Sequence, residues 1–343
     1  MKAFWSAAQL AHAPQFFLQR GLVRRNFEQP ARAESLLAAC QALKLEIVEP
    51  LPAGRAVLEA VHTAEYLDFL RDSPDAWALL PEHGPEMVAN SHPTPEMVAN
   101  GARRPATVTG KLGWHTTDAA CPITAETWPS ALAAANAAIA AADEASAGHS
   151  AYALARPPGH HAYPSRAGGH CYLNNAAIAV ERLRANGAAR VAVLDIDSHH
   201  GNGTQGIFWS RDDVLFVSVH GDPAQYYPWF VGHAEERGAG PGAGFTLNLP
   251  LAQGTGDAGW LAAVAQGVAT IERFGADALV VSLGFDASVD EPLNFLAVTE
   301  DGFARAGAAI KGLGLPAALV QEGGYNVSLL GTLLVRFLTG FSE

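Results

Sequence analysis

From about residue 129 onward the apolar positions fall into two alternating patterns. One is helix-like: SALAAANAAIAAADEAS, AAIAVERLRANG, and the stretches Ala258–Phe274 and Asp301–Gly312. Between these lie the apolar runs AYALA, RVAVLDID, VLFVSVH, FTLNLPL, ALVVSLGFD and AALVQ. Short unbroken apolar runs separated by helices predict strands buried on both sides. The fold expected is therefore α/β: one domain over residues 1–343, with a mostly parallel sheet and helices on both faces.

The first part of the chain is less regular. Residues 1–75 predict helices around Ala31–Ala42 and Ala64–Leu70. Residues from about 76 to 127 are rich in proline, glycine and polar side chains, and PEMVAN occurs at 85–90 and again at 95–100. One repeated hexapeptide is too little for a solenoid. The stretch predicts a long loop insertion, either plain surface or a lid or oligomer contact, since long loops in compact enzymes often carry function.

In open parallel sheets the ligand lies beyond the carboxyl ends of the strands, and polar residues collect there. Asp195, Asp197 and His199 follow one run, Ser218 and His220 end the next, Asp286 ends a third, and Glu322-Gly-Gly-Tyr325 follows a fourth. Eight of the 13 histidines lie between His149 and His233, so imidazole chemistry is concentrated in this half.

Composition narrows the function. With 49% hydrophobic residues in 343 the chain can bury a large core, and a net charge of -12 argues against nucleic acid as a partner. No run nears the roughly 18 apolar residues of a membrane span. The N-terminus lacks a signal-peptide pattern, and Cys40, Cys121 and Cys171 form no disulfide framework, so a reducing cytoplasm is expected.

Residues two apart on an extended strand share a face, so Asp197 and His199 can reach one metal ion, with Asp286 a third ligand from another strand. Three protein ligands leave positions for water and substrate, the catalytic arrangement. Zinc suits these ligands, as do iron(II) and cobalt. Taken singly, each aspartate also reads as a solvated strand end or helix cap, and His199 as a hydrogen-bonded core histidine. His160 and His161 suit divided labour: one imidazole is charged by a carboxylate, and the other acts as base and then acid. As a bare dipeptide they also read as a pair split between core and solvent. Tyr325, after two glycines, either donates to an oxyanion or simply caps a turn.

The motifs RPPGHHA (156–162), GGHCYLNNAAIA (168–179), LDIDSHHGNGTQ (194–205), VSVHGDP (217–223), SLGFDA (282–287) and EGGY (322–325) together resemble the zinc-dependent histone deacetylase superfamily. The likeness is nearest to its bacterial acetylpolyamine amidohydrolase branch, and VHTAEYLDFL (61–70) extends it toward the N-terminus. It implies an arginase-like fold and a zinc held by Asp197, His199 and Asp286. It implies His161 as general base and acid with Asn202 as partner, His160 paired with Asp195, and Tyr325 polarising the amide carbonyl. A structural potassium would be held by Asp195, Asp197, His199, Ser218 and Val219, with Phe208 and Val214 near a second monovalent site.

The implied reaction is hydrolysis of an acetylated polyamine or related small N-acylated amine. The alternatives are acetyl-lysine, a small neutral amide, or a metal-retaining binding protein without turnover. Arginases share the fold, but Gly201 and Ser288 stand where their second metal has ligands. Around the substrate, Gly169, His170 and Asp118 are the expected wall. Thr109 and Lys111 replace the glutamate and glutamine usual in the polyamine branch, and His170 replaces Tyr or Phe, giving a cationic or polar wall. A homodimer is expected from the long loop.

Overall fold

The computed structural model describes residues 1–293 and 295–342. The strands are β1 Lys2–Phe4, β2 Phe16–Gln19, β3 Leu22–Arg25, β4 Glu46–Val48, β5 Ala151–Ala153, β6 Val191–Asp195, β7 Val214–Gly221, β8 Thr246–Leu251, β9 Ala278–Leu283 and β10 Ala317–Gln321. The helices are α1 Pro30–Ala42, α2 Arg55–Glu59, α3 Ala64–Ala78, α4 Pro95–Ala99, α5 Val108–Trp114, α6 Thr127–Ser146, α7 Asn175–Ala185, α8 Asn202–Phe208, α9 Asp257–Phe274, α10 Glu300–Lys311 and α11 Val327–Ser342. None is long and apolar enough to cross a membrane, among the described residues.

Eight strands pair in parallel in the order β4-β1-β5-β10-β9-β6-β7-β8, while β2 and β3 form a separate hairpin. The strand pleat divides the core in two. Val191, Val193 and Val280 pack on one face with α6 and α7, while Ala192, Leu194 and Val281 pack on the other with α1, α9, α10 and α11. The single α/β domain with a helix-covered parallel sheet is what the apolar runs predict.

The strand order decides where chemistry can occur. From β6 the chain moves outward to β7 and β8, then returns to β9 and β10 on the other side of β6. The β6–β9 junction is thus a switch point, where connections leave in opposite directions and a crevice opens above the carboxyl ends. Asp197 and His199 follow β6, and Asp286 follows β9.

Several elements escape the sequence pattern. β1 and β4 are three residues each, too short to show a period. α11 packs against α10 and α1 through Leu330, Leu333, Leu334, Phe337, Leu338 and Phe341, a helical spacing the sequence reading did not pick up.

The 76–127 stretch is not the single long loop expected: it holds the end of α3, all of α4 and all of α5. Its two PEMVAN copies differ in structure. In the first, Met87 exchanges backbone hydrogen bonds with Ile123 and is buried. In the second, the Thr94 side chain caps α4, and Met97 and Val98 are exposed.

Candidate active site

β6 delivers Asp195 in its last position, and the extended chain beyond it turns Asp197 and His199 into the crevice. His199 Nδ1 lies 3.2 Å from Asp197 Oδ1 and 2.9 Å from Asp286 Oδ2, and all three residues are buried. Ligand atoms of the three lie within 4.8 Å of one another. Two buried carboxylates this close repel strongly unless a cation joins them. Burial and the neighbouring Asp197 push the Asp286 carboxyl up. Burial also opposes charge on Asp197, but His160 and His199 hold its carboxyl well below the usual range. Two carboxylates and an imidazole on an open crevice fit a divalent cation with free coordination positions.

Glycines make room for this cluster. A Cβ on Gly323 would sit 2.3 Å from Asp286 Oδ2, and one on Gly284 2.0 Å from Asp197 Oδ2. A Cβ on Gly201 would meet Asp195 Oδ2 at 2.2 Å, so the position that an aspartate would need for a second metal has no space for one.

The two adjacent histidines separate by environment. His160 Nδ1 lies 3.0 Å from Asp195 Oδ2. Burial opposes its charge, but Asp195 and Asp197 raise its pKa to about 10, so it is a cation at neutral pH. His161 Nδ1 lies 2.6 Å from Asn202 Oδ1, at the first residue of α8. A carbonyl oxygen only accepts, so Nδ1 carries the proton and the lone pair is on Nε2. Burial, then His160 and His199, push His161 well below the ordinary value, leaving a neutral imidazole.

A cavity of about 890 Å³ leads to this point, within the range of small-molecule sites. His161, His199, Tyr325, Gly169, His170 and Asp118 all line it. Gly169 has no room for a side chain, since a Cβ would be 2.5 Å from His161 Cδ2. Asp118 accepts hydrogen bonds from Tyr227 Oη at 2.7 Å, Ala120 N at 2.8 Å and Gly169 N at 3.2 Å. Burial lowers His170 to about 4, so this histidine is neutral at neutral pH. Thr109 and Lys111 lie on α5 and are not among the residues lining the cavity.

Tyr325 is almost fully buried. Burial raises its phenol well above the ordinary value, so it stays a hydrogen-bond donor. The Arg32 guanidinium lies 4.8 Å over its ring and donates to the carbonyls of Gly324 and Glu322, both at 2.6 Å. Arg32 in turn pairs with buried Glu28 at 2.9 Å.

Ser218 and Val219 are buried on β7, and Ser218 is the register partner of Asp195 on β6. Phe208 ends α8 and Val214 begins β7, both buried. His160, Cys171 and Glu322 form a second ligand-like cluster, but Asp195 already occupies His160 Nδ1, and two backbone N–H groups occupy Glu322 Oε2.

Sequence reasoning missed Arg32 and Glu291, which hold the Tyr325 turn, and Tyr226, Tyr227 and the hairpin residues Phe17, Arg20 and Arg24, which line the cavity. An Arg-Gly pair between FFLQ and LVRR was the available hairpin signal, with both central residues at positive φ.

Residues 26–340 match the family model for the histone deacetylase domain. The chain belongs to the histone deacetylase family. As a member of that family it is an amide hydrolase of the metal-dependent deacetylase type. This deacetylase-family chain is 44% identical to an acetylpolyamine amidohydrolase of Burkholderia pseudomallei, over 99% of the chain and 98% of that protein. It is 41% identical to acetylpolyamine amidohydrolase 1 of Pseudomonas aeruginosa, over 99% of each. The crystal structure of the acetylpolyamine aminohydrolase from B. pseudomallei, from an iodide soak, superposes with a TM-score of 0.95 at 44% identity, covering 100% of this chain and 99% of that one. The HDA15 HD domain matches at a TM-score of 0.82 and 26% identity, covering 100% of this chain and 91% of that one.

Proposed function

We propose that the protein hydrolyses the amide of acetylated polyamines and related small N-acylated amines, using one zinc ion held by Asp197, His199 and Asp286. The observation that carries this is the neutral His161, its Nδ1 tied to Asn202, at the inner end of the cavity beside those ligands and Tyr325. Zinc bound there supplies Lewis acidity toward the amide carbonyl and lowers the pKa of water. His161 takes the proton of the attacking water on Nε2. Tyr325 donates its phenol hydrogen to the carbonyl oxygen as negative charge builds on it. Positively charged His160 adds electrostatic support to the same centre. His161 then returns the proton to the leaving nitrogen, giving a carboxylic acid and a free amine.

Three further assignments belong to the same proposal. Potassium is held by Asp195, Asp197, His199, Ser218 and Val219, supported by the pairing of buried Asp195 with Ser218. The second monovalent site lies near Phe208 and Val214. The protein works in the cytoplasm as a homodimer, supported by exposed Met97 and Val98 on α4 and Leu79 after α3. Light scattering is expected to give twice the 35.9 kDa chain mass, and a monomer at micromolar concentration overturns the dimer.

One observation favours a second reading, a small neutral amide. Asp118 is the one carboxylate among the described residues lining the cavity, and its acceptors are already engaged. Arg20 and Arg24 line the same cavity and disfavour a distal ammonium. The test is a panel on the zinc-loaded chain: N-acetylputrescine, N-acetylcadaverine, N8-acetylspermidine, an acetyl-lysine peptide and simple neutral amides. The acetylated polyamines are expected to have the highest kcat/KM. Neutral amides ahead of them support the second reading, and no hydrolysis of any member overturns the function.

A further inference from the structure

Tyr325 is held from two sides, by the Arg32 guanidinium and by the buried carboxyl of Glu291. Arg32 takes carbonyl oxygens of the preceding turn. On the other side, the buried carboxylate of Glu291 takes two successive backbone N–H groups. Tyr325 N donates to Glu291 Oε1 at 2.8 Å, and Asn326 N donates to Oε2 at 3.2 Å. Asn326 Nδ2 also donates to the Asp290 carbonyl at 2.8 Å, so residues 290–291 and 325–326 are zipped together.

Glu291 sits on a short turn that starts at Asp286. Ser288 N donates to the Phe285 carbonyl, and Glu291 N donates to the Ser288 carbonyl. The same turn continues into Pro292 and Leu293, which line the cavity, and Tyr226 Oη donates to the Leu293 carbonyl at 2.8 Å. Glu291 therefore bridges three parts of the site: the turn carrying Asp286, the cavity wall, and the backbone of Tyr325. The approach to Tyr325 is tight as well. Gly324 has φ +113°, and a Cβ there would sit 2.8 Å from Leu330 and 3.0 Å from Phe285.

We propose that Glu291 is a positioning residue for the reaction, which sets the height of the Tyr325 hydroxyl relative to the Asp286 side of the site by clamping the Tyr325 and Asn326 N–H groups. A carboxylate suits this place because each oxygen accepts from one of two adjacent donors. A hydroxyl that stabilises a developing oxyanion is sensitive to displacements well under 1 Å, so its backbone anchor affects turnover more than binding. The proposal rests on the role given to Tyr325 under the proposed function.

The test is a double-mutant cycle on the zinc-loaded enzyme with its best substrate from the panel. Glu291→Gln keeps the side-chain shape but turns an NH2 toward one of the two donors. It is expected to lower kcat about tenfold, with KM changed less than about threefold and zinc content unchanged. In the Tyr325→Phe background the same change is expected to cost less than about twofold, because the hydroxyl it positions is gone. Equal losses in both backgrounds, or no loss in the parent, overturn the proposal. An inactive parent chain instead overturns the proposed function on which it rests. Glu291→Asp, which keeps the carboxyl and withdraws it by one methylene, serves if the glutamine variant does not fold. Its kcat is expected to fall with KM retained, and parental kcat overturns the clamp.

Discussion

The His161→Ala variant is expected to bind zinc stoichiometrically and to hydrolyse its amide substrate with kcat lowered about 10²–10⁴-fold. The asymmetry between metal and turnover follows from geometry. His161 Nδ1 is committed to Asn202, and its ring centre is 5.9 Å from that of His199, outside the cluster of Asp197, His199 and Asp286. Removing the imidazole leaves the ligands in place but takes away the neutral ring whose Nδ1 is fixed by Asn202. His160 cannot substitute, because Asp195 and Asp197 keep it protonated at neutral pH. Metal analysis and steady-state kinetics on one preparation check both halves. Near-parental kcat would remove His161 as the base.

The second large effect is expected at Asp286. Asp286→Ala leaves one carboxylate and one imidazole, and zinc affinity is expected to fall by more than about 100-fold, beyond the loss typical of residues that only support a ligand. Turnover goes with the metal. Asp286 Oδ1 also accepts the Ser198 N–H at 2.8 Å, so alanine strands a buried donor. Asp286→Asn preserves an acceptor of the same shape and separates the two effects: it is expected to fold like the parent yet still lose zinc on dialysis. Stoichiometric zinc in dialysed Asp286→Asn would refute the ligand set.

Much of this site is legible along the chain because sheet chemistry is local at its origin. An apolar run that ends in Asp195-x-Asp197-x-His199 announces both a buried strand and the face on which its polar residues lie. The glycines beside Asp286 and Tyr325 are local signals too, and the structure gives each a steric reason. The cavity walls were less legible. Phe17, Arg20 and Arg24 come from a hairpin at the far N-terminus, and Tyr226 and Tyr227 from an irregular loop, where no periodicity marks an inward side. Of the substrate expectations, Asp118, Gly169 and His170 line the cavity, whereas Thr109 and Lys111 lie on α5 and are not among its lining residues.

The sequence by itself determined the layered α/β class, the strand ends that carry chemistry, and the residue types available there, since alternation and apolar run length are properties of neighbouring positions. Tertiary structure decided which strands adjoin, and so which ends meet. It made His160 charged and His161 neutral, although the two are adjacent in sequence: Asp195 and Asp197 face the first, while the second is buried against His160 and His199 with no carboxylate bonded to it. It buried His170 deeply enough to stay neutral, gave the two PEMVAN copies different structures, and brought Glu291 to the backbone of Tyr325. Each of these depends on burial and on partners distant in sequence, which act only once the chain has packed.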